Sequence, residues 1–198
     1  MFGEVVTIHA LEERILKEGR VLPGEVLKVG SFLNQQIDTA LLTDMGNEIA
    51  RLFAGSGVTK ILTIESSGIA IAVAAGCAMH VPVVYAKKHA SSNMSKDVYT
   101  SSVFSYTHQK TYEIAVAKEY LKPDDTILIV DDFLAMGNAL NGLMEITDKA
   151  GAKLAGAAIE IEKGFQGGGD ALRAKGIRVE SLAIIDSMSD TSLTFREQ

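Results

Sequence analysis

Two adjacent carboxylates, Asp131 and Asp132, follow an apolar run at 127–130 and precede a short segment that contains Gly137. Paired carboxylates can accept hydrogen bonds from sugar hydroxyls or help to hold Mg²⁺. A glycine-containing loop that enters a helix offers unpaired backbone N–H groups and the positive end of the helix dipole, which suits a phosphate group. The segment therefore predicts a site for a phosphorylated sugar, with Asn138 as a further hydrogen-bond donor.

Other phosphate-binding motifs are missing from the sequence. There is no G-x-x-x-x-G-K-[ST], which excludes a P-loop, and no G-x-G-x-x-G follows a predicted strand, which excludes a dinucleotide fingerprint. The acidic pair of a response-regulator receiver would follow the first strand, whereas this pair lies about two thirds along the chain. An ordinary strand-to-helix connection with solvated acids is the remaining structural alternative.

Two further segments, 66–68 and 87–89, have residue types that could bind an anion. The first ends a strand and opens a helix, so its N–H groups predict a second anion site, although a plain serine N-cap would have the same sequence. The second is a compact cationic cluster after the next strand, for which a solvated charge cluster is the alternative. The first segment contains Ser66, Ser67 and Gly68, and the second consists of Lys87, Lys88 and His89.

Composition limits the possible functions of the 198 residues. Nineteen basic and 25 acidic residues give a formal net charge of −6, which argues against a broad electrostatic grip on nucleic acid. The one cysteine, Cys77, cannot form an intrachain disulfide, and its Ala-rich surroundings predict a buried thiol.

The start of the sequence has no basic segment or long apolar core of the kind found in targeting segments, so we expect a cytoplasmic protein. The charge-free stretch 66–86 is rich in Ala, Ser and Gly, which predicts a buried helix and strand rather than a membrane span.

Strands and helices alternate along most of the chain, which predicts a single α/β domain over 1–198. We expect a mainly parallel central sheet with helices on both faces and ligands beyond the carboxyl ends of its strands. Asp38 is expected to cap a helix. The predicted helices are Ala10–Glu18, 41–53, Ile69–Met79 and Asn138–Ala150. The predicted strands are Lys60–Ile64, Val83–Ala86, Ile127–Val130, Leu154–Ile161 and Val179–Ile184, with a hairpin of Tyr99–Tyr106 and Tyr112–Val116.

The segment 127–139 resembles the signature of type I phosphoribosyltransferases, which binds phosphoribosyl pyrophosphate (PRPP). Four other blocks occur in the same order as in the xanthine phosphoribosyltransferase family, and the similarity extends from about Leu11 to Phe195. These blocks are 26–38, 63–70, 87–89 and 160–166.

The resemblance implies transfer of the phosphoribosyl group of PRPP to xanthine in purine salvage, giving xanthosine monophosphate and pyrophosphate. It implies the type I fold with a small N- and C-terminal hood and a flexible loop at 91–107. It also implies a homodimer with no nucleic-acid or membrane partner, and Mg²⁺ carried by PRPP and pyrophosphate without a direct protein ligand.

Asp131 and Asp132 would be catalytic and would hold the ribose hydroxyls. The 5′-phosphate would bind Ala135, Met136, Gly137, Asn138 and Ala139, pyrophosphate would bind Ser66, Ser67, Gly68, Lys87, Lys88 and His89, and the base would bind Leu27, Asn34 and Lys163.

The chain departs from the family pattern in the predicted phosphate loop. Many relatives carry Ser or Thr hydroxyls there, and some place at position 135 an Asp that accepts a proton from the purine, where this chain has Ala135. No general base is therefore assigned. Phe133 or Phe165 could stack on the purine, and either could equally be a core residue. Guanine or hypoxanthine as the base, and a PRPP-sensing regulator without catalysis, are the alternative functions.

Overall fold

The computed structural model describes residues 4–88, 97–105 and 110–197, in which helices and strands alternate. Its elements are α1 (Glu4–Glu18), β1 (Arg20–Leu22), β2 (Val26–Lys28), a π-helical turn (Gly30–Asn34), α2 (Thr39–Leu52), β3 (Lys60–Ile64), α3 (Gly68–Met79), β4 (Val83–Ala86), β5 (Val98–Ser105), β6 (Lys110–Ala117), a 3₁₀ turn (Lys118–Tyr120), β7 (Thr126–Leu134), α4 (Asn138–Lys149), β8 (Lys153–Lys163), a second 3₁₀ turn (Gly164–Gln166), α5 (Gly168–Ala174), β9 (Val179–Met188) and β10 (Leu193–Phe195).

Six of these strands form one sheet in the order β10-β9-β8-β7-β3-β4. Neighbouring strands are parallel, except that β10 runs antiparallel to β9. The direction of strand addition reverses between β3 and β7, and such a switch point leaves a crevice in which ligands bind. The two strands are paired as far as Leu62 and Ile129, so the residues beyond these positions border the crevice.

Helices cover both faces of the sheet, and β7 contributes side chains to the core on each side. Leu128 and Val130 belong to the cluster beneath α1, α2 and α3, whereas Ile127 and Ile129 belong to the cluster beneath α4. The prediction of a strand buried on both faces is therefore confirmed, as is the mainly parallel α/β fold. None of the helices within the described residues is long and apolar enough to span a membrane.

The cap predicted for α2 is also confirmed. A carboxylate oxygen of Asp38 accepts hydrogen bonds from the backbone N–H groups of Ala40 at 3.1 Å and Leu41 at 3.2 Å. These two groups have no partner within the helix, so the aspartate satisfies donors that the first turn leaves free.

Two antiparallel hairpins project from the sheet. We call β1, β2 and the π-helical turn the hood, and β5 with β6 the arm, which was predicted as a hairpin. The arm rests on α4, where a Cβ at Gly142 would lie 2.6 Å from a methyl carbon of Val103. Of the expected flexible loop, residues 91–96 and 106–107 lie outside the described residues, and 98–105 are β5.

Strand β7 is longer than the sequence indicated. It was expected to end at Val130, but it continues through the acidic pair to Leu134, because β8 pairs with it as far as the contact between Leu134 and Glu162. Asp131 and Asp132 therefore lie within the strand, and only three residues connect it to α4.

The prediction of a buried thiol was wrong, because Cys77 is exposed. The side of α3 that faces the protein interior contains Ala72, Ala75 and Gly76, and Cys77 lies on the opposite side with the exposed Val73. The apolar character of the whole helix hid this asymmetry in the sequence.

Helices α2 and α3 approach closely at Gly46, which gives a test of the packing. A Cβ there would lie 2.7 Å from the carbonyl carbon of Ala74, so Gly46→Ala must push the helices apart. We expect it to lower the free energy of unfolding by about 1–2 kcal/mol, because overpacking outweighs the gain in helix propensity. The control is Asn47→Ala at the exposed next position, which gains propensity alone. Urea unfolding in which the two variants are equally stable would contradict this packing.

Candidate functional site

The acidic pair lies at the switch point and is largely removed from water. Asp131 is 5% exposed, and one of its carboxylate oxygens accepts a hydrogen bond from the backbone N–H of Asp132 at 3.0 Å. Because successive residues of a strand point to opposite faces, the two carboxyls leave the backbone on opposite sides. The two carboxyl groups nevertheless lie close enough to affect each other's protonation.

Burial changes the protonation of this pair. It raises the pKa of Asp131 well above the usual value, and the neighbouring Asp132 raises it further, while the Lys88 ammonium acts in the opposite direction. Burial also raises the pKa of Asp132, although hydrogen bonds from Asp131, from the amide of Phe133 and from Ser67 oppose that rise. Two carboxyls in one buried site do not both ionise readily, so the ligand-free pair retains protons more strongly than exposed aspartates do.

A third carboxyl, Glu160, lies beside the pair and was not predicted from the sequence. Its strand, β8, pairs with β7 so that Glu160 lies between the partners of Asp131 and Phe133, next to Asp132. The side chain is 3% exposed, and burial raises its pKa well above the usual value, with Asp132 and Asp131 adding to the rise. Its position in the buried run Ile-Glu-Ile-Glu was the signal available in the sequence, since unpaired acids are rarely buried.

The start of α3 packs directly against Asp131. A Cβ at Gly68 would lie 2.6 Å from a carboxylate oxygen of Asp131 and 2.5 Å from the hydroxyl oxygen of Thr63, so only glycine fits. The next loop is tied to the same place, because the backbone N–H of Lys88 donates to a carboxylate oxygen of Glu65 at 2.6 Å. The two predicted anion segments therefore meet beside the acidic pair. His89 lies outside the described residues.

Residues 135–139, which we call the phosphate loop, turn from β7 into α4. Gly137 has φ of +83°, a conformation that favours glycine. A Cβ at Gly168 would lie 2.1 Å from the carbonyl oxygen of Ala135, so the start of α5 packs against the loop backbone. The side-chain amide of Asn138 donates to the carbonyl of Phe104 at 3.0 Å, which joins the loop to the arm.

A cavity of about 800 Å³ connects the phosphate loop, the arm and the hood. The predicted residues that line it are Asp131, Ala135, Met136, Gly137, Asn138, Ala139 and Lys163. The cavity is also lined by Phe133, by Val103, Phe104 and Tyr112 of the arm, and by Pro23, Gly24, Glu25 and Val26 of the hood, together with Leu134, Leu140 and Gln166.

Other predicted residues lie beside this cavity rather than in its wall. Asp132 is next to Ser67, and the Lys88 ammonium lies 5.6 Å from the centre of the Tyr112 ring. Leu27 is 8% exposed and packs in the core, and Asn34 is exposed at the end of the π-helical turn. Val26, which precedes Leu27 in β2, lines the cavity.

The ammonium group of Lys163 lies where the cavity meets the hood. Lys163 is half-buried, and its ammonium donates to the carbonyl oxygen of Glu25 in the hood at 2.7 Å. Burial lowers the pKa of Lys163, and the charge of Glu25 partly offsets this. Phe133 and Phe165, the two candidate stacking residues, both pack against the core, and of the two only Phe133 also lines the cavity.

An ion pair between a partly exposed arginine and a buried glutamate fixes the strand end that carries Lys163. Glu162 is fully buried and accepts two hydrogen bonds from Arg173, at 2.9 and 2.7 Å, and one from the hydroxyl of Ser181 at 2.5 Å. A Cβ at Gly169 would lie 2.0 Å from the Glu162 carboxylate. Because a bidentate Arg–carboxylate pair has a fixed geometry, β8, α5 and β9 are held together behind the cavity.

The chain is similar in sequence to a family model and to named proteins. The family model described as phosphoribosyl transferase domain matches residues 30–191. The chain is 55% identical to "Xanthine phosphoribosyltransferase" of Lactiplantibacillus plantarum over 191 residues, which are 96% of this chain and 98% of that protein. It is also 55% identical to the protein of the same name from Ruminiclostridium cellulolyticum, covering 96% of this chain and 100% of that one.

Solved structures with low sequence identity share the fold. Adenine phosphoribosyltransferase of Trypanosoma brucei, in complex with AMP, pyrophosphate and ribose-5-phosphate, gives a TM-score of 0.75 at 17% identity, covering 91% of this chain and 81% of that one. The enzyme of Giardia lamblia, complexed with 9-deazaadenine, gives 0.73 at 23% identity, covering 88% and 96%.

The buried carboxyls predict how the stability of the ligand-free protein depends on pH. Since the pKa of Glu160 is raised on folding, above pH 4.5 the folded state keeps a proton that the unfolded state loses, and stability falls as the pH rises. Glu160→Gln removes this fall, so we expect it to raise the free energy of unfolding at pH 8 on the order of 1 kcal/mol, with less effect at pH 4.5. Urea unfolding at both pH values measures the effect. Glu13→Gln on the surface of α1 is the control, and an equal change at both pH values would contradict the burial argument.

Proposed function

The chain belongs to the phosphoribosyltransferase family, and we propose that it transfers the phosphoribosyl group of PRPP to xanthine, giving xanthosine monophosphate and pyrophosphate. The observation that carries the proposal is that Asp131, the phosphate loop and Lys163 line one cavity of about 800 Å³, with Asp132 directly after Asp131 in β7. Relatives named xanthine phosphoribosyltransferase, 55% identical over nearly the full chain, support the choice of base.

The acidic pair and the phosphate loop are assigned to the ribose 5-phosphate half of PRPP. Asp131 and Asp132 would accept hydrogen bonds from the two ribose hydroxyls, because carboxylates are acceptors when ionised. The 5′-phosphate would bind N–H groups of 135–139 at the positive end of α4. Since the loop has no Ser or Thr hydroxyl, its backbone donors would do most of this binding.

Pyrophosphate is assigned to the segments that meet beside Asp131. Ser66, Ser67 and Gly68 would present the start of α3, and Lys87 and Lys88 would neutralise the leaving group, together with His89 outside the described residues. The site fits Mg²⁺ held mainly by substrate oxygens, since such ions use few protein carboxylates. When bound, the ion would offset the negative charge of pyrophosphate, with PRPP supplying its direct ligands.

Lys163 is assigned to base recognition. An ammonium group donates hydrogen bonds and accepts none, so it favours a purine that presents a carbonyl oxygen and disfavours adenine, which presents an amino group there. Asn34 and Leu27 of the hood are proposed to complete the contacts to the base. Phe133 lines the cavity and is the better candidate of the two phenylalanines for stacking.

The reaction is a displacement at the anomeric carbon of ribose, with cationic character in the transition state. The bond to pyrophosphate breaks as the purine nitrogen forms its bond to the same carbon. The proton on that nitrogen passes to solvent or to the departing pyrophosphate, since Ala135 cannot accept it. Catalysis would come from alignment of the two substrates and from neutralisation of charge on pyrophosphate. The arm and the hood flank the cavity and would limit access of water to the cationic sugar.

The finer properties of the protein are also proposals. We propose that the 198 residues act as one catalytic domain in the cytoplasm, that the reaction serves purine salvage, and that the chain works as a homodimer. Neither nucleic acid nor a membrane is a partner in this proposal, which is supported by the net charge of −6.

A panel of purines tests the proposed reaction. The protein is incubated with PRPP, Mg²⁺ and one of xanthine, guanine, hypoxanthine or adenine, and pyrophosphate release is measured. We expect the highest kcat/KM with xanthine. A higher value with guanine or hypoxanthine would change the assigned base and leave the reaction class intact, whereas no release with any base would contradict the proposed function.

Neutral variants of the acidic pair test the assignment of ribose. Asp131→Asn and Asp132→Asn keep the side-chain volume but replace an acceptor oxygen by a donor, so we expect each to lower kcat/KM about 10- to 1000-fold. Asp148→Asn, an exposed change on α4, is the control. Full activity in both site variants would show that the pair does not hold the sugar.

A further inference from the structure

The hood and the end of β8 are joined across the cavity by two hydrogen bonds that converge on Glu25. The Lys163 ammonium donates to the Glu25 carbonyl oxygen at 2.7 Å, and the Gln166 side-chain amide donates to a Glu25 carboxylate oxygen at 2.6 Å. All three residues line the cavity. We call this arrangement the clasp.

The backbone of Glu25 indicates that its side chain matters here. Glu25 has φ of +59° in the hairpin turn and follows Gly24 at +81°. Residues other than glycine, asparagine and aspartate seldom adopt such angles, so a turn selected for shape alone would favour one of those. Glutamate instead supplies a carboxylate that reaches Gln166, and the same conformation directs its carbonyl oxygen at Lys163.

The clasp uses one of the three N–H groups of the Lys163 ammonium. A free lysine side chain has many rotamers and would lose this freedom on binding a base. Holding one donor on a fixed carbonyl oxygen leaves two donors for a ligand and limits the directions in which they point. The Glu25 carboxylate also raises the pKa of Lys163 against the effect of burial, which favours the charged form.

We propose that Glu25 and Gln166 are positioning residues that orient Lys163 for the base, so that the clasp sets base affinity without touching the phosphoribosyl half of the site. This inference rests on the proposed function. The hood is thereby coupled to base recognition through a peptide carbonyl and one side-chain hydrogen bond, in addition to the assigned contacts of Asn34 and Leu27.

Exchange of the Glu25 and Gln166 side chains, in two steps, tests the clasp. Gln166→Glu places two carboxylates opposite each other and should open it, raising the KM for the base on the order of 10-fold, with kcat and the KM for PRPP nearly unchanged. The double variant Glu25→Gln, Gln166→Glu restores an amide-to-carboxylate hydrogen bond in the opposite direction, and the KM for the base should return to within about threefold of the original. Asn47→Asp on the exposed side of α2 makes the same chemical change away from the cavity and is the control.

A second measurement reports on Lys163 without turnover. In the ligand-free protein, acetylation of Lys163 by a small activated ester is measured across pH by mass spectrometry of the peptide, so that the limiting rate of the neutral amine is separated from its pKa. This limiting rate should be several-fold higher in Gln166→Glu and return toward the original value in the double variant. Thermal unfolding checks that the variants fold. The clasp is refuted if Gln166→Glu behaves like Asn47→Asp in both measurements. It is also refuted if the double variant restores neither the KM for the base nor the acetylation rate of Lys163. If the unaltered protein turns over no base, the proposed function fails, and the acetylation rates still decide whether the clasp orients Lys163.

Discussion

The shared burial of three carboxyl groups at the switch point between β3 and β7 is the physical constraint around which the site is built. Asp131, Asp132 and Glu160 are close together and largely withdrawn from water, and burial raises the pKa of each. A folded protein would be more stable without these groups, since buried carboxyls without cations oppose folding. Their presence follows if a ligand with hydroxyl donors and a counter-ion occupies the crevice.

Close backbone contacts let the surrounding helices approach the buried carboxyls and the phosphate loop. Gly68 allows α3 to begin against the carboxylate of Asp131, and Gly168 allows α5 to begin against the phosphate loop. A side chain at either position would separate the two halves of the site, so the glycines set the distance between acidic pair, anion segments and loop. The Glu162–Arg173 pair then fixes the strand end from which Lys163 reaches the hood.

Much of this architecture was predictable, because it depends on local patterns. The apolar runs of β3, β4 and β7 and the cap at Asp38 predict a parallel sheet covered by helices, and Asp131-Asp132 with Gly137 predicts where the candidate site lies. Short elements were missed, including the hood strands, α5 and β10, because three to seven residues carry too little periodicity. Glu160 and the clasp were missed because their roles come from register and from contacts between distant segments. The exposure of Cys77 was missed because α3 is apolar on every side.

A crystal structure of the protein with ribose 5-phosphate would show whether the acidic pair holds the sugar and the loop holds its phosphate. We expect the phosphate oxygens to lie within hydrogen-bond distance of backbone N–H groups of residues 136–139, and the ribose hydroxyls to donate to Asp131 and Asp132. A sugar phosphate bound elsewhere, or bound in the loop with both carboxyls turned away from its hydroxyls, would contradict this assignment.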